Sequence, residues 1–131
     1  MKKIIFLISI VTLCLIGYFI YVNLGFGNPT AREILDDNPD ADIIKLDNLI
    51  YVKNKQEDIS SKYNIEHGEF IGEIKKRSTN KWWFRNLYAS KLPKGTKLYT
   101  TDDQYEKGDA PFIILVEYND EVLVYDALVE G

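Results

Sequence analysis

With 131 residues, one cysteine and a net charge of −4, the chain has room for one ordinary domain and none for a disulfide framework. The acidic balance argues against nucleic acid, whose recognition needs a basic field. A single histidine and a single cysteine leave little material for metal or nucleophile chemistry.

Residues 4–22 form an almost unbroken apolar run, IIFLISIVTLCLIGYFIYV, behind Lys2 and Lys3. At helical rise these residues span about 28 Å, close to the hydrocarbon thickness of a bilayer. A helix also satisfies its own backbone polar groups in lipid. Lys2, Lys3 and the amino terminus flank one end, whereas Asp36, Asp37, Asp40 and Asp42 follow the other. The positive-inside rule therefore predicts a cytoplasmic N-terminus at 1–3, a transmembrane signal anchor at 4–22 and a domain outside the cytoplasm. The alternative is a signal sequence cleaved near Gly25-Phe26-Gly27, which would leave a secreted domain. Cys14 is preceded by Leu13 and lies within the apolar run, so it does not resemble a lipoprotein cysteine.

Residues 23–40 read as a linker and a short helix. Thr30 with Glu33 makes a capping box for a helix through about Asp37, and Asn38-Pro39 ends it. Ile43 to Leu46 and Leu49 to Val52 flank Asp47-Asn48 and predict a hairpin. Asn54 with Glu57 suggests a second N-cap, followed by a short helix that puts Ile59 and Tyr63 on one face. A strand is expected around Phe70 to Ile74 and another from Thr96 to Thr100, after a turn at Pro93 to Gly95. Phe112 to Tyr118 and Glu121 to Leu128 flank Asn119-Asp120, the clearest hairpin in the chain. The run Phe112 to Val116 predicts a central strand buried on both faces. The expected fold class is α+β, mainly antiparallel β. About six strands and one or two short helices would form a curled sheet or small open barrel over residues 41–131.

Over about residues 41–131 the chain resembles a group of small uncharacterised exported or membrane-anchored proteins of Bacillus-type bacteria. The likeness rests on Ala41-Asp42-Ile43, Leu46-Asp47, Tyr51 and Gly72-Glu73-Ile74. It is strongest at Ala89-Ser90-Lys91-Leu92-Pro93-Lys94-Gly95-Thr96-Lys97-Leu98-Tyr99, and Tyr125, Leu128 and Glu130-Gly131 also fit. The resemblance implies a compact extracytoplasmic β-rich domain and no known activity. The chain departs from the group at Trp82-Trp83-Phe84, and in carrying an anchor instead of a lipoprotein cysteine.

Candidate chemistry is sparse. His67 has no Gly-x-Ser-x-Gly partner and reads as a turn residue. Asp36, Asn38, Asp40 and Asp42 alternate like a calcium loop, but Ala41 stands where such a loop needs glycine and no Glu closes it. Solvated acids at a helix end are the simpler reading. Paired carboxylates would support a small extracytoplasmic hydrolase only if two of them faced each other across a cleft.

The sharpest feature is a basic and aromatic segment. Residues 75–97 contain no acid, and Lys75, Lys76, Arg77, Lys81, Trp82, Trp83 and Arg85 combine cations with large amphipathic rings. Without Lys2 and Lys3 the outer domain has 14 basic and 20 acidic residues, a charge of −6, so this stretch stands against the background sign. Such a mixture suits a protein hot spot, an anionic surface polymer or lipid headgroups. If the segment were a strand, one of the adjacent tryptophans would pack inside. The expectation is a non-enzymatic binding or accessory protein of the bacterial envelope, needing no cofactor, with these seven residues as its contact surface.

Overall fold

The computed structural model describes residues 1–23, 27–56, 59–63, 68–101, 106, 108 and 110–130. His67 and Glu57 lie outside the described residues. The first element, helix α1, runs Lys2–Asn23. Its side chains are exposed from Lys2 to Tyr21, so none of the described residues of the domain buries this apolar surface. Thr12, one of its few polar residues, returns its hydroxyl hydrogen to the Ile8 carbonyl at 2.9 Å, which hides the polar group within the helix. An exposed apolar helix of this length near the N-terminus is consistent with a membrane anchor or a signal sequence.

Helix α2, Ala31–Asp37, has the predicted capping box. The Glu33 amide donates to Thr30 Oγ1 at 3.3 Å, and the Thr30 amide donates to Glu33 Oε2 at 2.8 Å. Asn38 closes the helix by donating its amide to the Ile34 carbonyl at 2.8 Å.

Eight strands follow: β1 Ile43–Leu46, β2 Leu49–Lys53, β3 Phe70–Glu73, β4 Lys76–Arg77, β5 Tyr88–Ala89, β6 Lys97–Tyr99, β7 Ile113–Tyr118 and β8 Glu121–Ala127. A single 3-10 turn spans Ile59–Lys62 where the second short helix was expected. Asn54 Oδ1 accepts from the Gln56 amide at 2.9 Å just before it. The strands make one sheet in the order β3-β6-β7-β8-β2-β1-β5-β4, antiparallel except for the β4–β5 pair.

That order dictates curvature. If the sheet were flat, β3 and β4 would lie about 34 Å apart at ordinary strand spacing. Only Ile74 and Lys75 separate them in the chain, so their ends lie within about 11 Å of each other. The sheet is therefore a curled half-barrel, and residues 70–77 stitch its two edges. The Ile74 amide donates to Thr96 on the β6 side at 2.9 Å, and the Lys75 amide donates to Leu87 on the β5 side at 2.8 Å. This arrangement leaves little free edge for unwanted strand pairing.

The concave face holds the main core. Ile44, Leu46, Tyr51, Ile74, Ala89, Leu92, Leu98, Ile114, Val116 and Tyr125 form one buried cluster. The register aligns them across strands: Ile44 with Tyr51, Ile114 with Tyr125, and Leu98 with Val116. Each such aliphatic side chain, fully buried, contributes about 1.5–3 kcal/mol of transfer free energy. The opposite face of β1 and β2 packs Ile43 and Ile50 against Ala31 and Leu35 of α2, with Ala41 and Phe84. Ser90 ties β5 to β1 by donating to the Ala41 carbonyl at 2.6 Å and accepting from the Ile43 amide at 2.8 Å. On β7, Ile114, Leu115 and Val116 are buried on both faces as the apolar run predicts, but Phe112 stays exposed outside the strand.

Both hairpins have two-residue turns with both central residues left-handed. Asp47 and Asn48 have φ of 47° and 67°, and Asn119 and Asp120 have φ of 50° and 59°. This is the type I′ geometry that follows the sheet twist. A non-glycine residue there costs about 1–2 kcal/mol in backbone energy, partly offset by the entropy glycine loses on folding. Asp120→Gly is therefore expected to raise unfolding stability by up to about 1 kcal/mol, read as a higher urea midpoint with unchanged slope.

Candidate functional site

Of the seven predicted contact residues, Lys75 immediately precedes β4, Lys76 and Arg77 form it, and Lys81, Trp82, Trp83 and Arg85 lie on the crossover that joins β4 to β5. Lys75 and the β4 residues Lys76 and Arg77 are exposed. The crossover must reverse the chain so that β5 lies parallel to β4. Its return end is fixed at Leu87, whose φ of 59° is unusual for a branched residue. The Leu87 amide donates to the Lys45 carbonyl at 2.7 Å, and the Leu87 carbonyl accepts from Lys75, so two backbone bonds hold this conformation.

The tryptophans are on a turn, not a strand. The Trp83 amide donates to the Asn80 carbonyl at 3.2 Å, and the Trp82 amide donates to Asn80 Oδ1 at 3.1 Å. The period-two argument that one ring packs inside therefore does not apply. Trp82 is 63% exposed and Trp83 is 64% exposed, while Phe84, only 6% exposed, fills the cluster beneath α2. The condition for burying one tryptophan, a strand, is not met, and the neighbouring phenylalanine packs inside instead.

Helix α2 contributes two residues that the sequence reading missed. The Arg32 guanidinium lies 4.0 Å from the centre of the Trp82 ring. Asp36 receives the Lys81 ammonium and stands 3.9 Å from Arg32 Nε. Lys81 is thus neutralised in place, whereas Lys75, Lys76, Arg77 and Arg85 make no ion pair among the described residues. Arg85 instead sits 5.5 Å from the Trp83 ring centre. Each ring carries one guanidinium, which steadies it without hiding it. No signal in the sequence links position 32 to position 82; only the packing of α2 over Phe84 brings them together.

A second concavity, a groove of about 890 Å³, lies where the end of β2 and the start of β8 meet the α2–β1 link. Asp40, Asp42 and Glu121 border it, with Lys53, Asn54 and Lys55. Asp42 Oδ1 accepts the Tyr125 hydroxyl at 2.9 Å, and Asp40 lies 3.8 Å from Lys91 Nζ. Burial, and then the Asp42 charge, push the Tyr125 hydroxyl well above its ordinary titration range. The four residues of the calcium-like alternation do not converge. Asp36 serves Lys81, Asn38 Oδ1 accepts the Asp40 amide at 3.1 Å, and Asp42 serves Tyr125. Among the described residues no three His, Cys, Asp or Glu side chains gather as a metal cluster. Comparison with protein-family models, with curated proteins and with solved structures found no match to this chain.

Proposed function

We propose that this chain is a membrane-anchored binding or accessory protein of the bacterial envelope, with its β-rich domain outside the cytoplasm. The observation that carries the reading is the exposed pair Trp82 and Trp83, on the crossover that carries Arg85 and directly follows the exposed cations Lys75, Lys76 and Arg77; these four cations have no acidic partner among the described residues. Contact surfaces are enriched in Trp and Arg, and desolvated rings supply most of their binding energy. The likeness of residues 41–131 to small exported proteins belongs to the same proposal, as does the orientation drawn from Lys2 and Lys3.

The test is a photo-crosslinking residue in place of Thr79, within the crossover, in the full-length tagged protein in cells. A saturable adduct with one envelope component, lost in Lys75→Glu/Lys76→Glu/Arg77→Glu, is the expected result. Identical adduct patterns for both chains would remove the reading. A second reading, a small carboxylate-dependent hydrolase, is favoured only by the acid-bordered groove. It would have to work with Asp40 and Glu121, since Asp42 already holds Tyr125.

A further inference from the structure

We infer that the occupant of this surface is the anionic lipid headgroup layer of the membrane that anchors the chain. The inference rests on the reading of α1 as an uncleaved anchor and of Lys75–Arg85 as a contact surface. Its own support is connectivity. Helix α1 ends at Asn23, and Arg32, against which Trp82 stacks, is nine residues further on. Fully extended, that stretch reaches about 30 Å, and the Arg32 side chain with its 4.0 Å approach to the ring adds roughly 10 Å, so the Trp82 ring stays within about 40 Å of the membrane-side end of α1. Its packing on the first turn of α2 thus keeps the tryptophan turn within reach of the membrane surface. Phe84, buried against Ala31 and Leu35, fixes the turn to that same helix.

The chemistry matches the place. Trp favours the headgroup level, where its ring is half in hydrocarbon and its N–H reaches water. Lys75, Lys76, Arg77 and Arg85 supply the attraction to an anionic leaflet. The domain as a whole is acidic, so a charged bilayer would repel most of its surface and favour this one patch. A tether this short holds the turn at an effective concentration in the millimolar range, so a contact too weak to recruit a free domain suffices here.

The chain contains only two tryptophans, both in this turn, so emission excited beyond the tyrosine absorption band reports this turn alone. The full-length protein would be reconstituted into phosphatidylcholine vesicles and into mixed phosphatidylcholine–phosphatidylglycerol vesicles. Both leaflets of such vesicles are alike, so insertion direction does not matter. The expected result is a blue shift, with quenching by brominated phospholipid, in the mixed vesicles only. Both effects should be lost in Lys75→Glu/Lys76→Glu/Arg77→Glu at unchanged thermal stability. Equal emission and equal quenching in the two vesicle types would overturn the inference, as would a charge-reversed variant that keeps the shift. Soluble polyglycerol phosphate added to the phosphatidylcholine sample separates the two levels of argument. A shift with polymer but none with anionic lipid sinks the lipid inference and leaves the binding reading standing; no shift in any sample sinks the lipid inference, and the crosslinking experiment alone decides the binding reading.

Discussion

Replacing Phe84 with alanine is expected to destabilise the domain by about 3–4 kcal/mol, while Trp82→Ala and Trp83→Ala stay within about 1 kcal/mol. Three adjacent aromatic residues would then differ several-fold in cost. The reason is placement. Phe84 is buried against Ala31, Leu35, Ile43 and Ile50, so truncation leaves a cavity between α2 and the sheet. It also removes an edge-to-face contact with Tyr88, whose ring centre is 6.2 Å away at 72°, which accounts for roughly 0.5–1.5 kcal/mol of that total. The tryptophans lose only exposed area and a cation–π contact worth about 0.5–1 kcal/mol. For a domain of about 100 residues, Phe84→Ala should lower Tm by something on the order of 15 °C or more. Thermal unfolding followed by far-ultraviolet circular dichroism checks all three variants. A fall of a degree or two for Phe84→Ala would mean that the turn is not seated beneath α2.

The same substitution carries a consequence for the contact surface. Phe84 is what joins the tryptophan turn, helix α2 and the convex face of β1 and β2. The Lys45 ammonium adds a bond to the Phe84 carbonyl at 3.3 Å. If the aromatic side chain goes, Arg32 and Trp82 lose the common support that holds them 4.0 Å apart. Surface and stability are therefore linked through one residue, although neither exposed tryptophan matters much to folding.

What the sequence disclosed, and what it withheld, divides by the range of the forces involved. Thr30 with Glu33 is a contact within one helical turn, and the capping box stands where the spacing put it. Asp47-Asn48 and Asn119-Asp120 hold positive φ locally, so both hairpins and their registers were legible. The run ending at Val116 marks a strand buried on both faces because burial leaves its signature in composition. The two-residue strands β4 and β5 left no such signature. Lys76-Arg77 has no apolar alternation, and its pairing with Tyr88-Ala89 depends on where the sheet's far edge arrives. The expected six strands became eight for this reason, and one pairing is parallel. The candidate surface shows the same split. Its cations and rings were readable as residue types, but the burial of Phe84 in place of either tryptophan, and the recruitment of Arg32 and Asp36, come from tertiary packing.

The second large effect is expected at alkaline pH and comes from Tyr125. Its ring is buried in the main core, and its hydroxyl donates to Asp42 at 2.9 Å. Ionisation would put a negative charge in an apolar site beside another negative charge, so the folded chain holds this proton well above the ordinary tyrosine range. In the unfolded chain the same hydroxyl titrates near pH 10. Above that pH the unfolded state binds fewer protons than the folded state, so stability falls as pH rises and is complete below about pH 10. One such group removes about 1.4 kcal/mol for each pH unit beyond 10, or roughly 2.7 kcal/mol by pH 12. Tyr125→Phe eliminates this loss. At neutral pH it forfeits a hydrogen bond to a charged acceptor, at a cost of about 1.5 kcal/mol. The two stability curves should therefore cross near pH 11, with the tyrosine chain more stable below and the phenylalanine chain more stable above. Urea unfolding of both chains at intervals from pH 8 to about pH 12 measures the difference directly, and titrating groups common to both cancel. Parallel curves with no crossing would show that the Tyr125 hydroxyl reaches solvent in the folded domain and that its bond to Asp42 is not a buried one.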